Sequence, residues 1–330
     1  MKTRLIPVLM LLVTTLFWGL AYPLNKALME LQKPLAGSMD DLKLTGMTIG
    51  TLFWLATMCM GLYCALRCPN PTKLEVQHGI GVGVFTAAGL WLLFLGLRYA
   101  NGSTIAFLNQ FYSAELAIVV CLRARKWPTP RVGLALVAMT GGCYVLSGFD
   151  PATFSLGKGE LCGLLCSLGF AAQILWNGRP RFADNNAMSV NTIMTCTVAV
   201  LMLGISLPMA PSHVMMRHLF ATPATLYLGA FSSVTWIVAG YTLLIAFQRY
   251  VPPMQTAVIL AFEPVFAAAF ALFVPAILAQ LTGQPFANET LTRSLVIGGG
   301  LILLANLALQ TVEEPAPANS TPEPALPAPL

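Results

Sequence analysis

The chain has 330 residues, of which 57% are hydrophobic and only 9% charged, with a formal net charge of +5. A water-soluble domain carries about 25% charged residues, so this chain cannot solvate a closed surface and must present one to lipid. Lipid forces backbone groups to pair internally, which leaves helices or a closed barrel. Barrel strands alternate polar and apolar residues. Here the apolar runs are continuous and about 20 residues long, the length a helix needs to cross a bilayer. The Lys and Arg residues sit in short segments between these runs, where they report topology; no nucleic-acid partner is expected.

Ten spans are predicted in chain order: Leu5 to Met29, Thr48 to Leu66, His78 to Leu97, Ser103 to Leu122, Val132 to Ser147, Glu160 to Asn177, Val190 to Leu207, Ala224 to Gln248, Pro253 to Ala279 and Ser294 to Thr311. The first resembles a signal peptide, with Lys2 and Arg4 ahead of it. Its apolar run continues past Ala21 into Tyr22-Pro23-Leu24, so it reads as an uncleaved span. The ninth contains Pro264 and Pro275. All eight cysteines lie in or at the end of apolar runs without metal-ligand spacing and read as small packing residues; no metal or other cofactor is expected. The segment from Glu313 to Leu330 is Pro- and Ala-rich, without periodicity, and reads as a disordered cytoplasmic tail.

Orientation follows from basic residues near span ends. With a cytoplasmic N-terminus, the inner segments hold Lys2, Arg4, Arg67, Lys73, Arg123, Arg125, Lys126, Arg131, Arg179, Arg181 and Arg249, eleven in all. The outer segments hold six: Lys33, Lys43, Arg98, Lys158, Arg217 and Arg293. Both termini are therefore expected in the cytoplasm of a bacterium, the chain being a multi-pass protein of the inner membrane.

An internal repeat is the most informative feature. Shifted by 151 residues, Thr86 to Ser113 overlies Ile237 to Pro264 with identities at Ala88/Ala239, Gly89/Gly240, Leu92/Leu243, Leu93/Leu244, Arg98/Arg249, Tyr99/Tyr250, Ala106/Ala257 and Phe111/Phe262. The same offset lays span one on span six through Ala21/Ala172 and Leu24/Leu175. The related units are five spans apart, and an odd number inverts the second half in the membrane. The expected fold is an all-α membrane protein of ten transmembrane helices in two inverted five-helix repeats, residues 1–148 and 149–312, with the tail at 313–330. Inverted repeats are a transporter architecture with the substrate site near the midplane between halves.

Phe17-Trp18-Gly19 in span one, Pro252-Pro253-Met254-Gln255-Thr256-Ala257 with Leu260-Ala261-Phe262-Glu263-Pro264-Val265-Phe266-Ala267 in span nine, and Gly298-Gly299-Gly300 in span ten together resemble the EamA-like branch of the drug/metabolite transporter superfamily. The resemblance covers about residues 5 to 311. The chain departs from the family pattern at Tyr112-Ser113 and Gly283-Gln284. The resemblance implies ten helices, alternating access, and export of amino acids, related metabolites or drugs.

Ionisable groups inside spans are costly and so mark function. Glu263, beside Pro264, is the candidate to meet a proton or a substrate ammonium; Glu115 in span four and Lys26 near the end of span one complete the coupling candidates. Trp18, Tyr22, Asn25 and Lys26 share one face of span one, and Gln173, Trp176 and Asn177 one face of span six, as symmetry-related stripes. With Tyr112 and Trp236 they form the candidate substrate cavity, suited to an amphipathic or aromatic substrate whose charge is met by one carboxylate.

The leading expectation is a secondary transporter, an exporter of small organic metabolites, working as monomer or homodimer with lipid and substrate as its partners. A nucleotide-sugar or phosphorylated-metabolite exchanger needs paired cations in the cavity, and only Lys26 is available. A membrane enzyme needs a catalytic cluster, and His78, His213 and His218 do not form one. A non-transporting receptor or scaffold has no need of an inverted repeat.

Overall fold

The computed structural model describes residues 2–37, 39–125, 127, 129–147, 156–207, 220, 222–248, 250–251, 256 and 259–310. The tail, Arg249, residues 252–255 and Ala257 of the repeat and family motifs, and Lys126, His213, Arg217 and His218 fall outside them. The described residues form helices and no strand. In chain order these are α1 (Lys2–Gln32), α2 (Asp41–Arg67), α3 (Lys73–Tyr99), α4 (Gly102–Asn109), α5 (Tyr112–Ala124), α6 (Pro130–Ser147), α7 (Lys158–Asn177), α8 (Ala187–Ser206), α9 (Pro223–Ser232), a π-helical segment (Ser233–Gly240), α10 (Tyr241–Gln248), α11 (Glu263–Ala271), α12 (Val274–Thr282) and α13 (Arg293–Gln310).

Among the described residues six helices are long and apolar enough to cross a membrane, or seven if α11 and α12, bent by 51° at their junction, count as one span. The chain is thus a multi-pass membrane protein, with fewer unbroken long helices than the ten expected. The physical reasons are local. The fourth expected span is divided at Gln110-Phe111 into eight and 13 residues. The ninth is divided at Ala261-Phe262 and again between Ala271 and Val274, and each later piece carries its proline in the first turn, where the missing N–H costs nothing. The helices α6 and α13 are 18 residues each and fall among the shorter apolar helices.

Helix starts follow from capping chemistry. Thr72 and Glu75 form a reciprocal capping box on α3. The Glu75 carboxylate also accepts from Asn186 N at 2.7 Å, fastening the start of α3 to the start of α8, where the Asn186 side chain in turn caps Met188 and Ser189. The helices then pack as a closed set: α2 on α8, α3 on α7 and α8, α6 on α13, α4 on α7 and α11, and α1 on α11 and the α9–π–α10 run. Glycine sets the closest approaches, because a bilayer offers no hydrophobic drive between helices and backbone proximity replaces it. A Cβ on Gly169 of α7 would stand 2.6 Å from the Gly89 backbone of α3. Gly142 and Gly298 meet reciprocally, each Cβ position within 2.8 Å of the other's carbonyl, where α6 crosses α13. The main core gathers α1, α2, α3, α8 and the π segment around Phe53, Phe94 and Ile237.

Candidate functional site

At two points, Gln110-Phe111 and Ala261-Phe262, the helix tightens into turns with i→i−3 bonds, Gln110 N to Phe107 O at 3.1 Å and Phe262 N to Ile259 O at 3.2 Å, and the adjoining helices α4 and α11 pack together. Interrupted helices at membrane depth are tolerated where they border a cavity, and here one lies beside them. It has a volume of about 500 Å³ and is walled by α1, α3, α7, the π segment, α10 and, beside the two interruptions, α4, α5, Leu260 and α11. Asn109 and Tyr112 reach it from one break, Leu260 and Glu263 from the other.

Its walls are aromatic. Trp18 and Tyr241 have ring centroids 5.3 Å apart, Trp236 lies 6.4 Å from Tyr241 and 6.3 Å from Phe94, and Phe170 closes the α7 side. Among the described residues lining the cavity, Glu263 is the one charged side chain. It is 8% exposed and its Oε1 accepts the Tyr22 hydroxyl at 3.0 Å. Tyr112 and Tyr241 also lie within electrostatic range of this carboxylate. A second polar line runs from Trp236 Nε1, which donates to Ser232 Oγ at 2.9 Å, to Asn25 Oδ1, which accepts from Ser232 Oγ at 2.6 Å. The segment Ser233–Gly240, which carries Trp236, is wound as a π-helix, a form that recurs at functional sites.

The hydroxyl of Ser232 is the middle of that line and is fully buried. Replacing it (Ser232→Ala) leaves the Trp236 indole and the Asn25 amide without their shared partner. The expected result is a loss of about 1–2 kcal/mol, seen as a lower unfolding temperature in detergent, with helical content unchanged. An unaltered unfolding temperature would show that both groups re-pair elsewhere.

Of the nine candidate cavity residues, the structure brings eight together: Trp18, Tyr22, Asn25, Tyr112, Gln173, Asn177, Trp236 and Glu263. Trp176 is outside the lining. Its indole donates to His78 O at 3.3 Å, fills the groove at Gly81, and carries the Arg179 guanidinium 3.9 Å above its ring. The face of α7 that meets α3 claims it, one residue away from the face that lines the cavity. Glu115 also stands apart: its Oε1 pairs with Ser167 Oγ at 2.6 Å on the α5–α7 seam. Lys26 turns away from the cavity, donating to Ala100 O at 3.2 Å and lying 3.7 Å from Glu289.

Sequence reasoning missed Tyr241, Phe94 and Phe170, apolar-looking positions within apolar runs. The repeat offset carried a signal for one of them, since Tyr241 is the counterpart of Leu90 and both line the cavity.

No family model matches the chain, and no curated protein matches it. Solved structures share its fold. One, described by no more than the words "Crystal structure of protein", has a TM-score of 0.53 at 19% identity, over 93% of this chain and 98% of its own. At that identity the likeness speaks to the fold alone.

The cavity is open at one end. Asn177 and Gly178, at the last turn of α7, are exposed, whereas Tyr22, Asn25 and Leu97 toward the opposite end are buried. The open end is the one at which Arg67, Lys73, Arg179 and Arg181 lie. Among the described residues no group of His, Cys, Asp and Glu could hold a metal ion.

Proposed function

We propose that the chain is a secondary transporter that exports an amphipathic amine, with Glu263 meeting in turn the substrate ammonium and a proton. The observation that carries the reading is a single carboxylate inside an aromatic cavity at a helix break. A lone buried anion is too costly to keep in an apolar site, so it must be neutralised. Two partners fit the site: a proton, or an organic cation whose apolar body stacks on Trp18, Trp236 and Tyr241. Only one can occupy the carboxylate at a time. That exclusivity is the simplest basis for exchange: a proton entering from outside displaces the amine, and the amine entering from inside displaces the proton.

The architecture behind this reading is ten spans in two inverted repeats, related by the 151-residue offset. Three structural coincidences support it. The breaks at 110–111 and 261–262 are separated by that offset. So are the lining pairs Tyr22/Gln173, Leu90/Tyr241, Leu93/Leu244, Asn109/Leu260 and Tyr112/Glu263. The close approach of Gly169 to Gly89 and to the Phe85 carbonyl maps onto that of Trp18 to Gly240 and to the Trp236 carbonyl. On this reading the α4–α5 pair is the fourth span, the residues from Pro253 through α12 the ninth, and the open end of the cavity faces the cytoplasm.

Flux in proteoliposomes tests the function. A panel of aromatic amines loaded with and without a pH gradient, acidic on the side opposite the substrate, is expected to show uptake that collapses when a protonophore dissipates the gradient. Uptake of anionic metabolites with none of amines would overturn the proposal. Topology is tested separately. Reporter fusions after Thr311 are expected to read cytoplasmic and those between Lys33 and Lys43 periplasmic; a periplasmic C-terminus is incompatible with both the ten spans and the inversion.

A further inference from the structure

The closed end of the cavity is held by one strap. The segment after α12 returns over the bundle, pinned by Glu289 N donating to Ala271 O at 2.9 Å and by Asn288 Oδ1 accepting from Ala276 N at 2.8 Å. This delivers the Glu289 carboxylate to the first turn of α4. There it accepts from Gly102 N at 2.6 Å, from Ser103 N at 3.3 Å and from Ser103 Oγ at 2.5 Å. Lys26, from the end of α1, joins the same carboxylate at 3.7 Å and Ala100 O at 3.2 Å, with the Glu289 side chain 9% exposed and that of Lys26 25%. Three elements, α1, α4 and the strap, thus converge on one anion, which caps a helix and pairs with a cation at once.

Taking the inverted repeat of the proposed function as its premise, we infer that Glu289 is the latch of an outer gate. The offset of 151 turns Lys26 into Asn177 and Ala100 into Val251. In the alternate conformation, facing outward, Asn177 must therefore swing to the Val251 carbonyl as Lys26 does to that of Ala100 here. In the present conformation Asn177 is exposed at the open mouth and its amide oxygen is 2.9 Å from His78 Nε2. The outer gate is closed by a carboxylate, a lysine and a capped helix. Held shut, it leaves the cavity open to the cytoplasm, the side from which an exporter loads.

The test uses two single cysteines, Leu97→Cys toward the closed end of the cavity and Gln173→Cys toward its open end, each introduced into a background whose native cysteines are replaced and whose flux is retained. Alkylation by a membrane-impermeant thiol reagent is read from the periplasmic side for the first and from the cytoplasmic side for the second. With Glu289 intact the cytoplasmic reaction is expected to be at least tenfold faster. Adding Glu289→Ala is expected to speed the periplasmic reaction and slow the cytoplasmic one, each at least fivefold. If both rates rise together, the change is loosening and not alternation, and the latch is overturned; if neither changes, Glu289 does not hold the gate, and it is equally overturned. Flux separates this from the transport reading. Exchanging gates without flux of any amine leaves the latch standing and removes the function. Flux with gates indifferent to Glu289 does the reverse.

Discussion

Glu263→Gln is expected to abolish gradient-driven accumulation of substrate, by at least tenfold, while the protein inserts and folds as before. The amide keeps the shape of the side chain and an oxygen to accept the Tyr22 hydroxyl, which lies at 3.0 Å from Oε1. It removes the charge that an ammonium pairs with and the group that a proton titrates. A neutral amide is also cheaper to bury than a carboxylate, so the unfolding temperature is expected to hold or rise. The measurement is paired: proteoliposome uptake under an imposed pH gradient, and thermal unfolding in detergent. Unchanged uptake with unchanged pH dependence would make Glu263 a packing residue of α11 and leave Glu115 as the carboxylate to examine next.

The second large effect is structural. Gly169→Leu is expected to destabilise the helix bundle by about 1–3 kcal/mol or more, the range for overpacked interiors. Its Cβ would lie 2.6 Å from backbone atoms of Gly89, and backbone cannot rotate aside as a side chain can. The loss should appear as a lower unfolding temperature and as aggregation on solubilisation. Gly204→Leu on α8 is the control, since nothing lies within 4 Å of its Cβ position, and it should behave as the parent. If Gly169→Leu is as stable as that control, the α3–α7 crossing is not set by glycine contact.

Much of the site was legible because a charge in an apolar run stands out. Glu263 and the polar stripe of α1 were found by that rule, and Tyr112 is the position that the offset pairs with Glu263. Trp176 shows where the rule stops. Adjacent helical positions differ by about 100° around the axis, and a stripe defined by residue type could not tell the cavity face of α7 from the face that α3 takes. Tyr241, Phe94 and Phe170 carry no polarity contrast with their neighbours, so only packing reveals them. The fold was legible in class from composition alone. Its interruptions were less so: Pro264 and Pro275 announced the breaks around α11 and α12, but the break at Gln110-Phe111 contains neither Pro nor Gly. The sequence there looks like any apolar helix, and only its offset from the proline-marked break could have pointed to it.

The reciprocal seating of Gly142 on Gly298 has a consequence for biogenesis. The two residues are 156 positions apart (298 − 142), and α6 packs chiefly on α13. At synthesis rates of about 5–20 residues per second, α6 waits roughly 8–30 s in the membrane before its partner helix emerges. During that interval its glycine groove faces lipid or the insertion machinery, and a foreign helix bearing small residues can occupy it. The chain is therefore most exposed to misassembly after its first half is complete, and a ribosome stall within the second half should prolong that exposure more than a stall of equal length within the first.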